Sequence, residues 1–384
     1  IAFDIDGVLI RGPRVFDEAK AAIKRVTAKK HGGDHPVGVP HIYMTNGGGC
    51  LEIDKAKQLS SWSVQCRQFI RFNVNVSPEQ VILSHTPMRE LVPTYKDTLV
   101  LVVGGQGLKC ANVALNYGFK RVVTPSQIRS RFPLLTPNVK TGDAVDSDSV
   151  TNSKDSNEVD GTKEQTSLAG TTELPASLDQ LRLGAILVLH DPRDWYVDLQ
   201  VAFDALVGWI HSSHRLSRGL MLFFSTVTGP RPRIYFSNPD FIFSGQHSFP
   251  RFAQGGYRVC LEALYKQSTG SYITILTSMI GNTLPMTLYG KPQPTTYRYA
   301  EKLLEQQARV KSPKHIYGIG DNPLSGCRVS LRSAADIRGA NQAGPLWSSV
   351  LVRSGTIQAT NDPLDQPKFS FDHVDDAVKF ILQR

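Results

Sequence analysis

At 384 residues the chain is long enough for more than one domain with a sizeable core, and 41% hydrophobic with 20% charged residues is a globular composition. It has no run of about eighteen consecutive apolar residues, which excludes an ordinary membrane-spanning helix; its five scattered cysteines, with no Cys-x-x-Cys, exclude a disulfide framework and a cysteine zinc site and fit a reducing compartment. Formal net charge is +9, yet Gly142 to Glu173 holds eight acids against two lysines, so the remainder carries about +15, a balance suited to an anionic substrate or surface, while no basic helix concentrates it for specific nucleic-acid binding.

Ile1-Ala2-Phe3 reads as a buried strand that ends at Asp4. Asp6 follows two positions on, and Gly7 lets the chain turn. Strand alternation would point both carboxylates the same way, and two acids at a buried strand end need a cation or a proton to offset their desolvation. The chain starts inside this strand without an initiator Met, so a targeting segment is unobservable rather than absent. Phe16 to Ala28 predicts an amphipathic helix with Phe16, Ala19, Ile23 and Val26 on one face. His41 to Met44 is a second buried strand, running into Thr45-Asn46-Gly47-Gly48-Gly49 and a helix from about Leu51. Residues 61–74 follow no clean period; Val81 to Leu83 is a short strand, and Met88 to Val92 is helical.

Thr98 to Val103 predicts a strand, followed by Gly104-Gly105-Gln106-Gly107, a helix to Tyr117 and a strand from Arg121 to Val123. As a dinucleotide fingerprint this is incomplete: Cys110 stands where the third small residue belongs, and no acid follows about twenty residues on. Residues 141–176 turn to Asp, Ser, Thr, Asn, Gly and Lys, the composition of a disordered acidic insertion. Order resumes with the strand Ala185 to Leu189, then His190-Asp191-Pro192-Arg193-Asp194-Trp195 and a helix through Val207 to Ile210. Strands follow at Leu220 to Phe224 and Ile234 to Phe236, the latter before Ser237-Asn238-Pro239-Asp240, and Gln254 opens a helix to Lys266. Thr287 to Tyr289 leads into Gly290-Lys291-Pro292 and a helix through Leu304; Lys314 to Ile319 ends in Gly320-Asp321-Asn322-Pro323. After Asp336-Ile337-Arg338-Gly339-Ala340-Asn341 come a strand, Ser348 to Val352, and a closing helix, Val374 to Leu382. Strands alternating with helices predict an α/β fold with a mainly parallel sheet.

Four predicted strand ends carry polar groups: Asp4 with Asp6, Thr45 with Asn46, Lys291, and Asp321. Ligands of parallel α/β sheets sit at the carboxyl ends of the strands, so these groups are expected in one crevice. Each alone is an ordinary turn; the four in this order are not.

In that order they resemble the four motifs of the haloacid dehalogenase-like hydrolases: Asp-x-Asp-Gly-Val, an apolar run into Thr-Asn, Gly-Lys-Pro, and Gly-Asp-Asn-Pro. The long stretch between the second and third resembles the α/β cap of subclass IIA. Phe3 to Leu9, Thr45 to Gly49, Leu83 to Met88, His190 to Trp195, Asn238 to Phe241 and Tyr289 to Pro294 are most similar to the eukaryotic branch called haloacid dehalogenase-like hydrolase domain-containing protein five, the cat eye syndrome critical region type. Its fungal members are associated with mitochondria. The resemblance implies a Rossmann-like hydrolase core from 1–95 and 286–384, and a cap from 96–285. It implies Mg²⁺-dependent hydrolysis of a small phosphate monoester, with Asp4 as nucleophile and Asp6 as general acid and base. Asp4, the Asp6 backbone carbonyl and Asp321 would hold the metal. Thr45, Asn46 and Gly47 would hold phosphoryl oxygens, and Lys291 would neutralise the phosphate. The cap would set specificity, with Asp191, Arg193, Asp194, Asn238, Asp240 and Arg251 as candidate contacts; each has a turn-capping or surface-pair alternative. His190, beside an apolar strand, is expected to be structural. The resemblance also implies a mitochondrial location, otherwise a cytoplasmic one, and a homodimer through the cap; its alternative reading is a mitochondrial enzyme of glycerophospholipid metabolism.

One departure bears on the metal. The family pattern places another Asp five residues after Asp321, where this chain has Gly326, and the matching Asp336 comes ten residues late. If 326–335 loop out, Asp336 is expected to support the metal from behind its direct ligands. If not, the expectation is a binding protein with weakened or lost activity.

Overall fold

The computed structural model describes residues 1–11, 14–28, 38–60, 74–139, 172–208, 210, 231–243, 249–270, 283–309, 313–321, 335–354 and 365–384. The expected strand 220–224, and nearly all of 29–39, 61–74, 141–176 and 326–335, lie outside these residues.

Two parallel sheets organise the chain. The first has six strands in the order Phe369–Phe371, Trp347–Val352, Ile316–Gly320, Ala2–Phe3, Ile42–Met44 and Val81–Ile82. Its centre is the opening strand, paired Phe3 to Ile319 on one side and Phe3 to Tyr43 on the other. Such a strand is covered on both faces, and Ala2 and Phe3 are both buried. On one face, helices Asp17–Thr27 and Val374–Leu382 pack with Ile5, Ile23 and Val378. On the other, helices Pro294–Ala308 and Ala335–Gln342 pack with Tyr297 edge-on to Trp347, ring centres 5.0 Å apart.

The second sheet has five strands in the order Met286–Leu288, Arg233–Phe236, Ala185–Val188, Leu99–Val103 and Arg121–Val123, again all parallel. Its faces are covered by Lys109–Tyr117 on one side and by Trp195–Val207 and Gln254–Gly270 on the other. The strand Met286–Leu288 pairs here, with Arg233–Phe236, so the boundary drawn at 286 falls ahead of the last strand of this sheet. The chain therefore enters the first sheet's crevice directly from the second, through Gly290 and Lys291. An α/β fold with parallel sheets is what the alternating pattern predicted.

Candidate active site

The opening strand stops at Phe3, and the Asp4 N–H donates to the Ile319 carbonyl at 2.8 Å. That bond places the Asp4 carboxylate at the carboxyl edge of the two central strands. The chain then turns at Gly7, whose φ is +93°; a Cβ there would collide with the Asp321 carboxylate. Because the strand ends before Asp4, alternation does not govern Asp6: Asp4 is buried and Asp6 exposed.

Lys291 reaches in from the second sheet. Its buried ammonium donates to Asp4 Oδ1 at 2.5 Å, to Asp336 Oδ1 at 2.6 Å and to the Met44 carbonyl at 3.2 Å. Those three acceptors use all three of its protons. Burial opposes the charge on Lys291, but Asp336 and Asp4 outweigh it and hold the ammonium well above its ordinary range.

Asp4, Asp321 and Asp336 each offer a carboxylate oxygen, and these atoms lie within 4.8 Å of one another. Burial, then Asp336, raises the Asp4 carboxyl well above its ordinary value, against the opposing Lys291. Burial and Asp336 push Asp321 up to about 7. One ammonium thus faces three converging acids, and hard oxygen donors with excess negative charge fit a divalent cation. Asp336 stands inside this cluster. The ten-residue offset leaves the Asp336 side chain on Lys291, because helix Ala335–Gln342 packs against Ile316–Gly320 and Trp347–Val352.

Thr45 and Asn46 follow the strand Ile42–Met44 on the other side of Asp4. The Thr45 hydroxyl donates to Asp6 Oδ2 at 3.3 Å and accepts from the Gly47 N–H at 2.9 Å. The Asn46 amide is spent on the junction between the sheets. It donates to the Lys291 carbonyl and to Asp240 Oδ2, each at 3.0 Å, and accepts from the Lys291 N–H at 2.7 Å. Its side chain therefore fixes the Lys291 backbone.

Of the cap candidates, Asp240 is tied to this cluster by its bond from Asn46; burial pushes its carboxyl up to about 6 against that bond. Asn238 Oδ1 accepts from the Asp240 N–H at 2.9 Å, a turn bond. Asp194 caps helix Trp195–Val207 by accepting from the Val197 N–H at 3.2 Å. Arg193 and Asp194 line a cavity of about 630 Å³ beside Gly104 to Gly107 and Thr124. Arg251 is exposed, and its Nε donates to the neighbouring Pro250 carbonyl. Asp191 is half-buried near His190, with Oδ2 3.9 Å from Nδ1, and burial raises its carboxyl. The His190 ring lies against Gly49. Sequence reasoning missed the Met44 carbonyl, which has no side-chain signal, and the buried cluster of Glu52, His85, Thr86 and Tyr117 described below.

Comparison with known proteins agrees with this geometry. Residues 1–120 match a family model described as haloacid dehalogenase-like hydrolase, and residues 288–377 match one described as HAD-hydrolase-like. The chain is 30% identical over 389 residues to a cardiolipin synthase (CMP-forming) / mitochondrial hydrolase fusion protein of Schizosaccharomyces pombe, matching along 100% of this chain but 53% of that protein. It therefore spans about half the length of that relative. It is 28% identical to a mitochondrial hydrolase of Saccharomyces cerevisiae, covering 100% of this chain and 95% of the relative. The fold is similar to that of the p-nitrophenyl phosphatase from Archaeoglobus fulgidus, with a TM-score of 0.52 at 13% identity over 99% of this chain and 97% of the other. The two matched segments fall on the two ends of the chain that build the six-stranded sheet and bring Asp4, Lys291 and Asp336 into contact, and on that ground the chain belongs to the haloacid dehalogenase-like hydrolase family.

Proposed function

We propose that the protein is an Mg²⁺-dependent phosphatase that hydrolyses a small phosphate monoester through a phosphorylated Asp4. The observation that carries this reading is the buried contact of Asp4 and Asp336 with one ammonium, Lys291, beside Asp321. An Asp4 oxygen attacks phosphorus and the ester P–O bond breaks. Asp6, exposed at the mouth, gives the departing oxygen its proton. Water then attacks the aspartyl-phosphate as Asp6 takes its proton, releasing phosphate and restoring Asp4. Thr45 and the backbone N–H groups at Asn46 and Gly47 hold the phosphoryl oxygens, Gly47 exchanging its bond to Thr45 Oγ1 for one to phosphate, and Lys291 balances their charge. Asp4, Asp321 and Asp336 would hold Mg²⁺, which when bound supplies positive charge beside the reacting phosphate.

The place of Asp336 favours this reading over a binding protein with a broken metal site. The names of the two fungal relatives support a mitochondrial setting, and the cardiolipin synthase part of one supports a phospholipid-related phosphate as substrate. The test is Asp4→Asn assayed on p-nitrophenyl phosphate with Mg²⁺. Turnover is expected to vanish while the melting transition persists; turnover comparable to wild type would sink the mechanism.

A further inference from the structure

The loop after Thr45 is held from an unexpected direction. The Gly49 N–H donates to His85 Nε2 at 3.1 Å. A backbone N–H can only donate, so Nε2 is the acceptor and the neutral ring carries its proton on Nδ1. Burial lowers the His85 imidazole to about 4, which keeps it neutral. Nδ1–H then donates to the Tyr117 hydroxyl oxygen at 2.7 Å, and the hydroxyl donates to Glu52 Oε1 at 2.6 Å. Thr86 donates to the same oxygen at 2.6 Å, and Arg89 donates to Oε2 at 2.7 Å while lying over the Tyr117 ring. Burial opposes ionisation of Glu52, but these bonds outweigh it and hold the carboxyl below its ordinary value. Every link has one direction, from the loop amide to a buried carboxylate.

Gly49, Glu52, His85, Thr86 and Arg89 belong to the segments around the first sheet, but Tyr117 ends the helix Lys109–Tyr117, which packs on the second. The loop has little freedom beside this chain. The Gly47 carbonyl accepts from the Ser84 N–H at 3.1 Å. Gly49 has a φ of +79°, and a Cβ on it would strike the His190 ring. The loop is therefore clamped between groups that both sheets supply.

We propose that His85 and Tyr117 are positioning residues for phosphate binding: the chain from Gly49 to Glu52 sets the amides of the Gly47–Gly49 loop, and it is complete only when helix Lys109–Tyr117 is docked. The proposal rests on the reading above, in which this loop cradles phosphate.

The test is Tyr117→Phe, which keeps the ring over Arg89 and removes only the hydroxyl. Tyr95→Phe is the control; it breaks a comparable bond in the same apolar cluster, to the Tyr235 hydroxyl at 2.8 Å, that is no part of the chain from Gly49 to Glu52. In Tyr117→Phe, KM for p-nitrophenyl phosphate is expected to rise about tenfold with kcat nearly unchanged, the signature of lost uniform binding. Inhibition by inorganic phosphate should weaken by the same factor, and amide exchange at Gly49 should accelerate. His85→Gln, which keeps an acceptor for the Gly49 N–H, should restore part of what His85→Leu loses. The proposal is overturned if Tyr117→Phe and Tyr95→Phe shift KM alike, or if Gly49 exchange does not move. Exchange does not depend on turnover, so a wild-type protein without phosphatase activity would refute the catalytic reading and leave this coupling to be decided by exchange.

Discussion

Lys291 and Asp336 are joined by a buried 2.6 Å ion pair although the position ten residues earlier, Gly326, is where the family pattern places the acid. The pair adds a third carboxylate beside Asp4 and Asp321, and it raises both. Repulsion among these acids costs stability unless a cation offsets it. Asp336→Asn can still accept from Lys291 but removes that repulsion. The variant is expected to lose about 10–100-fold in Mg²⁺ affinity, with a parallel loss of turnover. Its metal-free melting temperature should hold or rise. Titration calorimetry and melting with and without metal check the opposite signs; equal Mg²⁺ affinity in the variant would remove Asp336 from the site.

Gly7 tests the same cluster through the backbone. Its φ of +93° disfavours any side chain, and the space a Cβ needs is occupied by the Asp321 carboxylate. Gly7→Ala is therefore expected to cost about 1–3 kcal/mol of stability and to displace Asp321. Mg²⁺ binding should weaken in the same variant. A melting curve paired with a Mg²⁺ titration separates the effects; unchanged metal affinity would show that Asp321 is not held by this close approach.

The opening motif was legible because its evidence is local. An apolar run, two acids and a glycine define a strand end, and Asp4 sits there. The parallel α/β fold was legible for the same reason, since each strand carries its own apolar run. Alternation was extended past Phe3, where the strand had already ended, so it does not set the direction of Asp6, which is exposed and meets the Thr45 hydroxyl at 3.3 Å. The resemblance put Met286–Leu288 with the core, but three residues do not say which sheet they join; pairing Met286 with Ile234 puts them in the second. Asp194 and Asn238 were read as candidate substrate contacts with a turn-capping alternative; the Asp194 carboxylate caps its helix and the Asn238 side chain closes a turn. The Glu52 cluster was illegible for a different reason. Glu52, His85 and Tyr117 each suit their own segment, and only the docking of helix Lys109–Tyr117 brings the three together.

Asp204 provides a stability prediction remote from the site. It is buried on helix Trp195–Val207, and its Oδ1 accepts from the Gln200 amide at 2.8 Å. Burial pushes its carboxyl up from 3.8 to about 6, against that bond. Between those two values the folded protein binds more protons than the unfolded chain, so Asp204 lowers stability as pH rises. Below the unfolded value both states are protonated and the penalty is absent. Above about 6 it is fully present, and a shift of roughly two units corresponds to at most about 3 kcal/mol, reduced by water penetration to about 1–2. Asp204→Asn keeps an acceptor for Gln200 and never ionises. It is expected to melt higher than wild type at pH 7.5 and at the same temperature near pH 4. Thermal melts at the two pH values check this; a gain of equal size at both would place its origin in packing, not in the charge.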